Sequence, residues 1–502
     1  MTGPTNPGAL LRTLLLLFSL HIPFIAASEL KFPPNVNHIF NAIHSSMRQW
    51  GSSLHHNGMS FFIATVPKGT QLYHGNNFSE PVNGIEWLAF EPEHAMVFAR
   101  SRHGPPPPAG KGPQKRSQFP LQLQDKESGQ DQNQTGWLHT YTTAKELRLL
   151  YIDGMSAAKT ENGTLDSQDR ILLRDALKGK FGMLERERAD MICHMAQEKY
   201  KGRLDGVLRM EAGFEIILCD FARDLNEVRV TRVKSEDKAG HPPPGRDTEG
   251  NIDGAKLWYK AIAARYNGIG GNRVILEYGK FVTAYAYGLD LFRPSRSNGN
   301  SLPRLNHLVA DELRPIRNDL DYLILNYDTS RTSYNWQGVA DMVVQRYAHE
   351  LRYLASGRLT LQKLHEEIEN SLGPFIDYGD RNTGLEAEEC SMQFVPAGAP
   401  TDGLARNAIR SVSRSICSTM IEAWKQTDHG AAVAQLRSLM DYLSWTTWKD
   451  CNGCADNEIC VIPIWPMGTV EDYEHPQCRE ASRPSGQGRR YWGEHGGPSG
   501  SQ

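Results

Sequence analysis

Apolar residues recur at helical spacing between residues 33 and 50. Val36, Ile39, Phe40, Ile43 and Met47 share one face and Gly51 closes the run, which predicts one helix. Residues 60–66 read as a strand, Pro67-Lys68-Gly69 as a turn, and residues 71–74 as a second strand. Residues 87–90 form a third apolar stretch. Pro92 then opens a helix through Ala95, Val97 and Phe98, because the missing proline N–H has no partner in a first turn anyway. Strand signals return at 137–141 and 147–152, a helix is predicted over 184–200, and strands over 207–210 and 214–219. Beyond residue 254 the pattern turns helical, over 255–266, 336–355, 359–372 and 405–445. The expected fold class is therefore α+β: an N-terminal α+β domain, then a mainly α-helical domain with a cysteine-rich end.

Two stretches interrupt this pattern. Residues 103–136 hold four consecutive prolines with Gly, Lys, Gln and Ser, too little apolar surface to order themselves, and read as a disordered insertion. Residues 234–254, rich in Pro, Gly and charge, read as a linker. The expected layout is a signal peptide over 1–28, the α+β domain over 29–233, the linker, a helical domain over 255–445, a cysteine-rich cap over 446–480 and a disordered tail over 481–502. In the first segment Arg12 precedes the apolar run Leu14–Ile25, and Ala26-Ala27-Ser28 forms a small-x-small cleavage site. His21 and Pro23 break that run, which is too short to span a bilayer comfortably, so no membrane span is expected. The polar, Gly-rich C-terminal residues predict no lipid anchor. A net charge of -3 gives no electrostatic reason to expect a nucleic-acid partner.

The signal peptide places the chain in the secretory lumen or outside the cell, where cysteines oxidise. Of eight cysteines, six lie after position 389: Cys390, Cys417, Cys451, Cys454, Cys460 and Cys478. The last four suit either a tetrahedral zinc or a pair of disulfides, and an oxidising compartment favours disulfides, with Cys390 or Cys417 as further partners. A redox Cys-x-x-Cys at 451–454 is a third option, weakened because the pair opens no obvious helix after a strand. Glycosylation sequons begin at Asn77, Asn133 and Asn162.

Three segments carry candidate chemistry. Gly69-Thr70-Gln71-Leu72-Tyr73-His74-Gly75 ends a strand in a His-Gly pair. Residues 87–99, Trp-Leu-Ala-Phe-Glu-Pro-Glu-His-Ala-Met-Val-Phe-Ala, run from a strand into a helix. Leu204-Asp205-Gly206 leads to a strand that carries Glu215 near its start. In this order the three resemble the motifs of ADP-ribosyltransferase-like folds, as in poly(ADP-ribose) polymerases and tRNA 2'-phosphotransferases. The resemblance covers residues 60 to about 230. It implies a split-sheet domain with NAD as substrate and no tightly bound cofactor. His74 would hold a ribose hydroxyl, with Tyr73, Gly75 and Phe90 around the substrate. Glu215 would be catalytic, stabilising the cation that forms as nicotinamide leaves. His74 and Glu215 should then flank one cleft. The second segment has Ala89 and Phe90 where active members usually place Tyr, Ser or Thr, a departure that bears on activity more than on fold.

Each residue also has a plain reading: His74 as a satisfied strand-end histidine, Glu215 as an exposed edge residue, and Trp87, Phe90 and Phe98 as core. Three functions follow: a secreted enzyme that cleaves NAD to transfer ADP-ribose to a protein target or hydrolyse it; the same fold as a catalytically inactive binding or effector module; or an accessory factor of the ER lumen or extracellular space, for example in a secondary-metabolite pathway. No metal is expected, and oligomeric state is not legible.

Overall fold

The computed structural model describes residues 34–99, 136–177, 184–233, 253–293, 302–327, 334–451, 453–480 and 489–492. The signal peptide, all but the last residue of the 103–136 insertion, most of the 234–254 linker, Asn133 and most of the 481–502 tail lie outside them.

Ten strands build one sheet. They are β1 (Ser60–Val66), β2 (Gln71–Asn76), β3 (Glu86–Ala89), β4 (Trp137–Thr143), β5 (Leu147–Ile152), β6 (Gly206–Met210), β7 (Phe214–Leu218), β8 (Leu225–Arg232), β9 (Ile275–Leu276) and β10 (Val282–Thr283). Their order is β10-β1-β5-β6-β7-β3-β2-β4-β8, with β9 also against β1. Among the described residues only β5 and β6 pair in parallel. β1, β6 and β7 are buried nearly throughout, which is why they read as mostly apolar runs and not as alternating strands.

Helices pack around the sheet. The 33–50 run is not one helix: α1 (Val36–Ser45) and α2 (Gln49–Leu54) are separated by Met47, whose φ of 55° no helix accommodates. Gly51, expected as a stop, lies inside α2. Next come α3 (Pro92–Met96), α4 (Glu185–His194), α5 (Phe221–Asp224), α6 (Asp253–Ala263), α7 (Arg314–Asn326) and α8 (Trp336–Leu354). The C-terminal part adds α9 (Leu361–Leu372), α10 (Thr383–Met392), α11 (Leu404–Trp424) and α12 (His429–Leu443). The run expected over 405–445 is thus broken into two, because Asp428 caps α12 and accepts from the Ala431 N–H at 2.7 Å. α8 buries Val339, Ala340, Val343, Tyr347, Leu351 and Leu354, a stripe at three- and four-residue spacing.

Residues after the 234–254 stretch belong to the same compact unit as those before it. β9 and β10 extend the sheet at β1, and Leu313, Ile316, Leu320 and Ile324 share one apolar core with Phe61, Ile152 and Ile217.

All eight cysteines pair: Cys193–Cys219, Cys390–Cys417, Cys451–Cys460 and Cys454–Cys478. Cys390 and Cys417 therefore bond each other and not the terminal four. The Cys451, Cys454 and Cys460 sulfurs do come within ligand spacing of one another, but as disulfides they offer no thiolate to zinc.

Candidate functional site

The three motif segments occupy adjacent strands, β2, β3 and β7, in the centre of the sheet. The register decides what they bring together. Tyr73 on β2 sits opposite Ala89 on β3, and Ala89 sits opposite Glu215 on β7. Side chains alternate along a strand, so Tyr73, Ala89 and Glu215 share one face and His74 points to the other. Contacts on both sides agree. Tyr73 and Leu138 pack with Trp87 and Phe98, whereas the His74 ring meets His139 and Phe221, at 6.2 and 5.7 Å between centroids. The expected common cleft for His74 and Glu215 is therefore absent.

Glu215 is not an edge residue either; it is 1% exposed on a central strand. One carboxylate oxygen accepts from the Trp87 indole N–H. The other accepts from Arg209 Nε at 2.9 Å. Arg209 is the fourth residue of β6 and is buried. Its remaining N–H groups reach Gln168 Oε1 at 2.9 Å and Glu185. Lys159 continues the network, 2.6 Å from Glu211 and 3.4 Å from Glu185. Burial works against the Arg209 charge, yet Glu185 and Glu215 outweigh it and hold the guanidinium above its ordinary value. Burial would also lift Glu185, but Arg209 and Lys159 hold it down to about 2, while burial pushes Glu211 up to about 7. This is a closed structural ion cluster around Arg209. The motif reading overlooked Arg209, although a lone cation inside Val207-Leu208-Arg209-Met210 already calls for a buried anion.

The other expected site residues are equally enclosed. His74 hydrogen-bonds the Trp87 carbonyl through Nδ1 at 2.6 Å, and burial lowers its pKa to about 4. Gly75 has no room for a side chain, since the Ala95 carbonyl of α3 rests directly on it. Phe90 is buried beneath the Arg273 guanidinium. Tyr73 is half-buried, and its hydroxyl accepts from Gln71 Nε2 at 2.6 Å. Asn77 and Asn162 are both half-buried.

A narrow pocket remains beside these motifs, lined by Gln49, Phe90, His94, Phe214, Ile262 and Arg265. Its volume of about 10 Å³ holds a water and not a nicotinamide ring. The Trp258 indole donates to His94 Nδ1 at 2.6 Å. Indole N–H can only donate, so the neutral His94 ring carries its hydrogen on Nε2, which has no partner among the described residues. A bound water suits that donor.

The buried titratable groups give a pH prediction. Burial lowers His38, His44 and His74 to about 4, and His55, His56 and His94 to about 3. Unfolding returns them to about 6.5, so their contribution is complete above that pH and is lost as pH falls below it. Burial raises Glu86 to about 8 and Asp153 and Glu211 to about 7. Their contribution is complete below about pH 4.5 and is lost as pH rises through 7 to 8. Stability should peak between about pH 6 and 7 and fall by a few kcal/mol per pH unit on the acid side, where the six histidines outnumber the carboxylates. Urea unfolding across this range checks it; an unchanged midpoint between pH 5 and 6.5 would contradict it.

Comparison with known proteins places the sheet-forming half. A family model described as the YPL277C N-terminal domain matches residues 33–134 and 109–252, the stretch that supplies β1 to β8. Two Saccharomyces cerevisiae proteins, the uncharacterized protein YPL277C and the uncharacterized protein YOR389W, are each 33% identical over 236 residues, 42% of this chain. The match spans 46% of the first and 36% of the second, so this chain covers under half the length of the curated relatives it matches. No solved structure matches it. No helix among the described residues is long and apolar enough to cross a membrane.

Proposed function

We propose that this chain is a secreted, disulfide-braced binding module that recognises a protein partner and does not turn over NAD. One observation carries the reading: both Glu215 oxygens are engaged, by Trp87 and Arg209, in a buried setting with no room for substrate. A catalytic carboxylate must reach the reacting ribose, and this one is spent on the fold. Four disulfides accord with an oxidising compartment, the ER lumen included. The NAD-cleaving reading retains one supporting observation, that the three motif segments lie on adjacent strands in the centre of the sheet.

Binding and secretion are separately testable. Millimolar NAD should leave the melting temperature unchanged, since a ligand stabilises only the state it binds; a rise of several degrees would favour the NAD reading. Protein recovered from a eukaryotic secretory host should begin at Glu29, the residue after the Ala26-Ala27-Ser28 site. Retention of residues 1–28 would count against secretion.

A further inference from the structure

Part of the tail expected to be disordered is seated in the fold. Tyr491 and Trp492 of the short helix α14 (Arg489–Trp492) are buried, 8% and 2% exposed; this label follows α13 (Val470–Glu474). The Trp492 indole N–H donates to the Met467 carbonyl at 3.0 Å. The Tyr491 carbonyl accepts from Asn162 Nδ2 at 2.6 Å. Together with Tyr473, the two aromatic rings stand edge-on to His56, at 5.1 to 5.8 Å between centroids. His56 is fully buried beneath them.

Asn162 opens the Asn162-Gly163-Thr164 sequon, and Nδ2 is the atom to which a glycan would be joined. Thr164 is wholly buried and donates to the Ala158 carbonyl, so the folded chain cannot present this sequon for modification. Attachment would have to precede folding, and residue 162 is synthesised long before residue 491. Once attached, the first sugar would need the space that the Tyr491 backbone fills.

We propose that glycosylation of Asn162 and docking of the Tyr491–Trp492 segment are mutually exclusive, the glycan keeping the C-terminal segment out and uncovering His56. This rests on the secreted reading above. Transfer joins the asparagine nitrogen to the sugar anomeric carbon and releases the lipid-linked carrier diphosphate, with the amide proton leaving to the enzyme's base.

The test compares the full chain made in a eukaryotic secretory host with the same chain made in an oxidising bacterial cytosol, where no glycan is added. Glycopeptide mass spectrometry reports occupancy at Asn77, Asn133 and Asn162, and limited trypsin digestion reports cleavage at Arg489 and Arg490. The Asn162-glycosylated chain should be cut there at least about tenfold faster, with an unchanged melting transition for the sheet domain. Equal protection despite a glycan on Asn162 would overturn the proposal. So would equally rapid cutting at Arg489 and Arg490 in chains whose Asn162 is unmodified, an outcome that leaves secretion standing. No glycan at any sequon together with an uncleaved signal peptide would remove the secreted reading and this proposal with it.

Discussion

Arg209→Met is expected to lower the unfolding free energy by about 3–5 kcal/mol, the usual cost of breaking a buried ion pair from one side. Methionine fills similar volume, so the loss is electrostatic and not a cavity. It leaves Glu215 without its countercharge, takes one of its cations from Glu185, which keeps Arg188 at 3.3 Å, and leaves Gln168 without its Arg209 partner. Lys159, 3.4 Å from Glu185, offsets only part of that. The gap between variant and parent should narrow at mildly acidic pH, since protonating Glu185 removes part of the uncompensated charge. Urea unfolding at neutral and mildly acidic pH measures both effects. A variant as stable as the parent at neutral pH would mean that the cluster is solvated and that Glu215 is less confined than its burial indicates.

The second large effect is expected from the helical part. Replacing Cys390 and Cys417 together by alanine should cost about 3–4 kcal/mol, from the loop that the disulfide closes in the unfolded chain. Both residues are 0% exposed, and the bond ties α10 to α11, the longest helix. Loss of two sulfurs from a closed core adds to the entropic cost. The Cys454–Cys478 bond is half-buried and ties the residues before β11 (Glu458–Val461) to its partner β12 (Gln477–Glu480) in a small hairpin. Its removal should loosen that hairpin and leave the main transition nearly unchanged. Thermal unfolding of the two double variants separates these outcomes, and an equal loss in both would contradict the assignment of the core role to Cys390–Cys417.

Much of the fold was legible because burial and periodicity act locally. β1 and β5 announce themselves as short, mostly apolar runs bounded by turns, and α8 as a stripe at helical spacing. What failed depends on single residues or on distant pairing. Asp428 breaks one apparent helix by capping the next, a signal present in the sequence but overridden by the continuing apolar pattern. β9 and β10, two residues each, carry no period at all and exist only because β1 offers them an edge. Cys193 and Cys219 were left unassigned, although eight cysteines in an oxidising compartment leave no reason to exempt two.

The candidate site shows the same division. The segments that carry His74, Trp87 and Glu215 lie on neighbouring strands. Which face each side chain takes is a matter of register, and one residue of shift reverses it. Tyr73, not His74, ended up on the face of Glu215. The absence of a polar residue at Ala89 and Phe90 was the better guide, because both positions are filled as core.

The most direct test is nicotinamide release from NAD by the purified, disulfide-intact protein, run beside Glu215→Gln at matched folded fraction. No release above background from either protein is the expected result, with Glu215→Gln changing the melting temperature and nothing else. Turnover by the parent protein that is lost in folded Glu215→Gln would contradict it, since a carboxylate held only by Trp87 and Arg209 for structural reasons has no rate to lose.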